Sequence, residues 1–160
     1  MKNKIIFPGT FDPITLGHLD IISRASFIFK HIILAIAENK NKKTMFSINE
    51  RVSLAKQVTS NFDNIEVISY SQLITTFAKQ HKTNILIRGI RSVSDFEYEL
   101  QLANINKHLE PKIETLFLIS SQNLSFISSS LIKNIIKYNG DISSFLPSIV
   151  LEAILKKTKI

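Results

Sequence analysis

Five short, largely apolar runs recur along the 160-residue chain: Lys4–Phe7, His31–Ala37, Ile65–Ile68, Asn84–Ile87 and Thr115–Ile119. Each of the first four is followed by a stretch of helical periodicity: Leu19, Ile22, Ala25 and Ile28; Val52, Ala55 and Val58; Leu73, Phe77 and Ala78; Phe96, Leu100 and Ala103. A strand that is apolar throughout is buried on both faces, and no two-residue hairpin signal separates one run from the next. The alternation therefore predicts right-handed βαβ units and an α/β, Rossmann-like, doubly wound five-stranded parallel sheet. Ser128–Tyr138 and Pro147–Lys157 predict two extra C-terminal helices, parted by the turn signal Asn139-Gly140-Asp141. Nothing marks a linker or repeat, so residues 1–160 are expected to form one domain.

In such sheets ligands bind beyond the carboxyl ends of the strands, near the point where strand order reverses. Thr10 and His18 follow the first run, Lys42 the second, Leu73 and Ile74 the third, Arg88 to Arg91 the fourth and Ser120 to Ser130 the fifth. Every polar candidate falls on one rim. Three of the chain's four glycines, Gly9, Gly17 and Gly89, lie among these residues, which suggests close backbone approach to a ligand or positive φ. The net charge of +7 comes from lysines scattered along the chain, so it does not specify a nucleic-acid partner; a small anionic ligand is expected instead. Of only four arginines, Arg88 and Arg91 bracket Gly89-Ile90, and in a lysine-rich chain such a pair suggests planar, bidentate phosphate recognition. The absence of cysteine excludes disulfides, thiolate catalysis and cysteine-based zinc sites. It suits a reducing compartment, and no run spans a bilayer or resembles a signal peptide, so a cytoplasmic location without a membrane partner is expected.

Gly9 and Gly17 lack the dinucleotide-fingerprint spacing, and no acidic residue closes the second strand, which argues against hydride transfer. His18 is placed in the first turn of a helix, where N–H groups and the dipole favour an anion. Taken alone, a histidine there is an ordinary cap or surface residue. Serines opening a helix at Ser128 to Ser130 offer hydroxyl and N–H donors, and equally read as a plain N-cap. Asp12 is expected to brace the opening loop by accepting from nearby backbone N–H groups. Phe77 and Phe96 are expected in the core, and Leu73 and Ile74 read as core as readily as site. His31, His81 and His108 form no cluster with metal-site spacing.

Gly9-Thr10-Phe11-Asp12-Pro13-Ile14-Thr15-Leu16-Gly17-His18 resembles the (H/T)-x-G-H signature of the nucleotidyltransferase superfamily. With Lys42 to Phe46, Ile87 to Arg91 running into Asp95 to Glu99, and Ser125 to Ser130, the chain is similar over nearly its whole length to the phosphopantetheine adenylyltransferases. The resemblance implies attack of the 4′-phosphopantetheine phosphate on the α-phosphorus of ATP, giving dephospho-coenzyme A and pyrophosphate without a covalent enzyme intermediate. It implies catalytic roles for His18, Thr10, Lys42 and Arg88. Thr10, Lys42, Ile74 and Arg88 would hold the second substrate. ATP would be bound by Gly9, Thr10, His18, Gly89, Ile90, Arg91, Glu99, Leu124, Ser125, Phe126, Ile127, Ser128, Ser129 and Ser130. Mg2+ is implied only as a partner of ATP and pyrophosphate, and family likeness further implies a homohexamer inhibited by coenzyme A. Leu124 stands where the family has an aromatic residue, and Gln72 where a small or acidic one is expected. The rival within the superfamily is an enzyme acting on nicotinamide mononucleotide, and outside it a basic nucleic-acid-binding module.

Overall fold

The computed structural model describes residues 4–38 and 43–158. The elements alternate as β1 (Lys4–Gly9), α1 (Leu16–Ile28), β2 (His31–Ala37), α2 (Ile48–Val58), β3 (Ile65–Tyr70), α3 (Ile74–Gln80), β4 (Ile85–Ile90), α4 (Val93–Leu109), β5 (Glu114–Ile119), α5 (Ser129–Lys137) and α6 (Ser148–Thr158). The five strands are parallel and lie in the order β3-β2-β1-β4-β5. Order reverses between β1 and β4, so their carboxyl ends flank the crevice where this architecture takes its ligands.

The strands run further than the apolar runs suggest. The run of apolar residues ends at Ile87, yet β4 continues with Arg88 paired to Phe117, Gly89 to Leu118 and Ile90 to Ile119. Arg88, Gly89 and Ile90 thus stand at the strand end and not in the loop after it, because ladder hydrogen bonds hold a backbone whatever its side-chain polarity. β1 likewise takes in Pro8 and Gly9.

One face of the sheet is thickly covered. Ile21, Ile22 and Ala25 of α1, Leu54 and Ala55 of α2, Ile132 of α5, and Val150 and Ile154 of α6 pack there against Phe7, Leu34 and Ile36. The opposite core is smaller, with Phe77 and Ala78 of α3 and Ile113 against Ile6, Ile33, Ala35 and Leu86. Phe77 is in the core as expected, but Phe96 is not. It is 41% exposed, edge-on to Phe117. The apolar residues of α4 are spread round the helix instead of forming one stripe, and its only buried residue is Glu99. Leu73 also lies outside the core, because it is the N-cap of α3, ahead of the face that Phe77 and Ala78 bury.

Helix starts are set by short polar residues. Ser47 caps α2, with Glu50 completing a capping box, while Ser92 caps α4 and Ser128 caps α5. After α5 it is Asn139 that takes the left-handed conformation, with φ 55. Gly140 is needed for space, since a Cβ there would lie 2.6 Å from Ile135 Cγ2. No glycine among the described residues has positive φ, which corrects one of the two reasons offered above for their placement.

Candidate active site

At the exit from β1 the chain folds back on itself. Phe11 adopts φ 49, and its ring lies where a Cβ on Gly9 would stand 2.7 Å from Cε2. What comes closest to Gly9 is therefore the protein's own ring, which meets Phe7 and the His18 imidazole edge-on. Asp12 is buried and does brace this loop, but against distant groups. Oδ1 accepts from the Phe46 N–H and Oδ2 from the Met45 N–H, both at 2.9 Å, and the Lys133 ammonium stands 3.1 Å from Oδ2. The expectation of local N–H partners is corrected: the carboxylate bridges three segments. Arg51, also buried, donates to the carbonyls of Phe46, Thr10 and Ala37, and so joins the ends of β1 and β2. Burial lowers its pKa against the pull of Asp12 and Glu38.

His18 is the third residue of α1 and closes a capping box with Thr15. The Thr15 N–H donates to His18 Nδ1 at 3.0 Å, and the Thr15 hydroxyl lies 3.0 Å from the same nitrogen. A ring nitrogen that accepts carries no proton, so this network assigns the proton to Nε2. Desolvation, then the positive charges of Arg91 and Arg88, lower the imidazole pKa to about 4. The ring is thus a neutral Nε2–H donor at ordinary pH.

Both arginines already have carboxylate partners one turn apart on α4. Arg88 donates through Nε to Glu99 Oε2 at 2.6 Å and through Nη2 to Oε1 at 2.5 Å, while Nη1 donates to the Pro8 carbonyl. Arg91 forks onto Asp95 and also donates to the Ile127 carbonyl at 3.2 Å, joining β4 to the segment that opens α5. In that segment Ser128 Oγ caps Leu131 and Ser129 Oγ donates to the Pro13 carbonyl. The first backbone N–H groups of a helix have no partner within it, so α5 opens with donors to spare.

These groups line two adjoining cavities. The first, about 240 Å³, includes Gly9, Thr10, His18, Arg88, Gly89, Arg91, Glu99, Ile127, Ser128, Ser129 and Ser130. The second, about 260 Å³, takes in Ala37, Tyr70, Ile74, Leu102, Ala103 and Asn106, and shares Thr10, Arg88 and Glu99 with the first. The structure does not place Ile90, Leu124, Ser125 or Phe126 on either wall. Ile90 is buried, Leu124 closes a 3-10 turn, and Phe126 is exposed, edge-on to Phe145. Gln72 is outside both cavities and bonds Gln80. Lys42 lies outside the described residues.

Sequence reasoning missed Lys133, Arg51 and Asp20. Lys133 lines the first cavity, and its position four residues after Ser129 puts both on one helix face, a signal available in the sequence. Asp20 accepts from the hydroxyl and N–H of Ser121 and from Arg24, tying α1 to the loop after β5. Burial raises its pKa, but these donors outweigh that and hold it below the usual carboxylate value. A carboxylate at mid-helix carries no local mark of such a partner.

Residues 6–135 match the cytidylyltransferase-like family model. A phosphopantetheine adenylyltransferase of Photorhabdus laumondii subsp. laumondii is 58% identical over 157 residues, 98% of each chain. One from Proteus mirabilis is 56% identical with the same coverage. Among solved structures, one assigned as a nicotinate-nucleotide adenylyltransferase of Vibrio parahaemolyticus superposes with a TM-score of 0.74 over 99% of this chain and 94% of its own. At 19% identity it speaks for the fold alone.

Proposed function

The chain belongs to the phosphopantetheine adenylyltransferase family, within the cytidylyltransferase-like group, and from that premise we propose how its residues transfer the adenylyl group of ATP to 4′-phosphopantetheine. The observation that carries the reading is that His18, Arg91 and the start of α5 share one cavity, and that Thr10 and Arg88 form the wall between it and a less polar one. A triphosphate suits the first cavity and an acyl-amide arm ending in a phosphate suits the second. The reacting phosphates then meet at Thr10 and Arg88.

The nucleophile is an anion already, so the step needs alignment and charge stabilisation more than a general base. The phosphate oxygen forms a bond to the α-phosphorus as the bond to the pyrophosphate oxygen breaks, in line and without an enzyme adduct. His18 Nε2–H donates to the α-phosphate as charge builds in the transition state. Arg88, with Lys42, orients the attacking phosphate, and Arg91, Lys133 and the first N–H groups of α5 receive the leaving pyrophosphate. Ile74 lines the path of the arm.

Magnesium fits as a passenger of the nucleotide. Both oxygens of Asp12 and of Glu99 are taken by donors, and no group of three acidic or histidine side chains among the described residues could hold an ion. When bound, it would neutralise phosphate charge, held by phosphate oxygens and water. Homohexamer assembly and inhibition by coenzyme A at the same pocket complete the proposal, the former supported by the exposed Phe96, Tyr98, Ile105 and Leu109 of α4. No described helix is long and apolar enough to cross a membrane, and the cysteine-free chain suits the cytoplasm.

A pyrophosphate-release assay with ATP tests the reading. Turnover is expected with phosphopantetheine and none with nicotinamide mononucleotide. The reverse pattern would replace the substrate assigned here.

A further inference from the structure

We infer that Asp20 is a positioning residue for ATP: with Arg24 it fastens the segment that follows β5, one wall of the first cavity, to the helix that carries His18. This rests on the reading that ATP occupies the first cavity. Gly17, Asp20 and Arg24 are spaced three and four residues apart, so α1 presents them on one face. All three meet the same stretch of chain. Arg24 donates to the Ile119 carbonyl at 2.6 Å, and Asp20 accepts from the Ser121 N–H at 3.1 Å and from its hydroxyl at 2.7 Å. A Cβ on Gly17 would stand 3.4 Å from the Leu124 carbonyl oxygen and 3.6 Å from that of Ile127. Ser120, between the two residues that α1 grips, is buried and lines the first cavity, as do Gly17 and Ile127.

The sheet gives this segment little support, because β5 is an edge strand and its last tie to β4 is the Ser120 N–H on the Ile90 carbonyl. Ser121 stands at the N-cap of the turn Gln122–Leu124 yet makes no side-chain bond to it. A serine there ordinarily caps its own turn, and this one spends its hydroxyl on Asp20 instead. Arg24 closes the arrangement by donating to Asp20 Oδ2 at 3.3 Å. A wall held in this way keeps its place relative to His18 before ATP arrives, so binding has less ordering to offset. None of residues 119–128 lines the second cavity, and the two substrates should therefore respond differently.

The test compares Asp20→Ala, Asp20→Asn and Ser121→Ala, reading Kd for ATP by calorimetry and KM for phosphopantetheine from pyrophosphate release at saturating ATP. Asp20→Ala strips the acceptor from both Ser121 donors. It is expected to weaken ATP about 5- to 30-fold while phosphopantetheine KM changes less than about twofold. Asp20→Asn keeps a carbonyl oxygen for the N–H and can turn its amide to the hydroxyl oxygen, so it should return ATP affinity to within about threefold of wild type. Adding Ser121→Ala to Asp20→Ala should cost less than about twofold more, since the bond is already gone. A smaller effect of Asp20→Ala on ATP overturns the inference, as do an equal loss for phosphopantetheine, no recovery in Asp20→Asn, or losses that multiply. Should Asp20→Ala fail to fold, Ser121→Ala decides: weakened ATP with phosphopantetheine KM unchanged supports the inference, and wild-type ATP affinity overturns it. Wild-type protein that binds no ATP overturns this inference together with the proposed function, whereas an ATP-binding wild type with an indifferent Asp20→Ala removes only the inference.

Discussion

The two cavities that meet at Arg88 make opposite demands on a ligand. The first is rich in donors, a neutral imidazole N–H, two guanidinium groups, the Lys133 ammonium and the opening turn of α5, with the Asp12 and Glu99 carboxylates paired among them. The second offers Ala37, Tyr70, Ile74, Leu86, Leu102 and Ala103, relieved by Asn106 and by Thr115, whose Oγ1 is buried without a partner among the described residues. Burial raises the pKa of Tyr70, against the opposing charge of Arg88, so its phenol stays neutral. A site of the first kind grips charge. One of the second kind measures length and shape. The pairing separates the energy that binds from the geometry that reacts, and substitutions should divide the same way.

The largest effect is expected where the contact exists mainly in the transition state. His18→Ala should lower kcat by about 10³- to 10⁴-fold and weaken ATP binding by less than about tenfold. Steady-state kinetics beside ATP calorimetry read the two separately, and equal losses would make His18 a ground-state ligand. Lys133→Met should follow. It is expected to weaken ATP about 10- to 30-fold with AMP unchanged, because AMP lacks the phosphates that the proposed function sets against the ammonium. Parallel loss of ATP and AMP would show that the Lys133 to Asp12 contact matters for shape alone. On the other side of Arg88, Ala103→Phe puts a ring into the second cavity. A rise of about tenfold in phosphopantetheine KM with ATP Kd unchanged would sharpen the division, and an effect on ATP would break it.

How much of this the sequence shows depends on the distance between partners. The βαβ order and the rim follow from local patterns, apolar runs and helix starts, whereas choosing Thr10, His18 and Ser128 to Ser130 from that rim took the likeness of the whole motif, since each alone reads as a cap or loop residue. Strand ends beyond Ile87 were not legible, because the pairing of Arg88 with Phe117 depends on β5 and not on side-chain polarity. Asp12 was legible as a brace but its partners were not, since Met45, Phe46 and Lys133 come from elements brought there by the fold. Arg51 shows the same limit. Scarcity of arginine singled it out no more than Arg24, and only three converging carbonyls reveal its work. Phe96 misleads for a different reason, because periodicity finds a helix without saying which face the helix buries.

The smallest expected effect concerns pH and again separates binding from shape. His18 has a folded pKa of about 4 against 6.5 when unfolded. Between those values the unfolded chain takes up a proton that the folded one refuses, so this group contributes a loss of stability as pH falls from about 6.5 towards 4 and nothing above that window. The difference amounts to about 1–2 kcal/mol at pH 5, a shift of a few degrees in Tm. Other carboxylates also titrate on the acid side, so the measurement is a difference. His18→Asn keeps an acceptor for the Thr15 N–H and removes the titrating ring. Its Tm should fall less than that of the wild type between pH 7 and pH 5, with the two curves parallel above pH 7. Parallel curves throughout would mean that the imidazole protonates freely inside the cavity. It would then meet ATP as a cation, and the first cavity would grip phosphate by charge where burial and the charges of Arg91 and Arg88 make the ring a neutral donor.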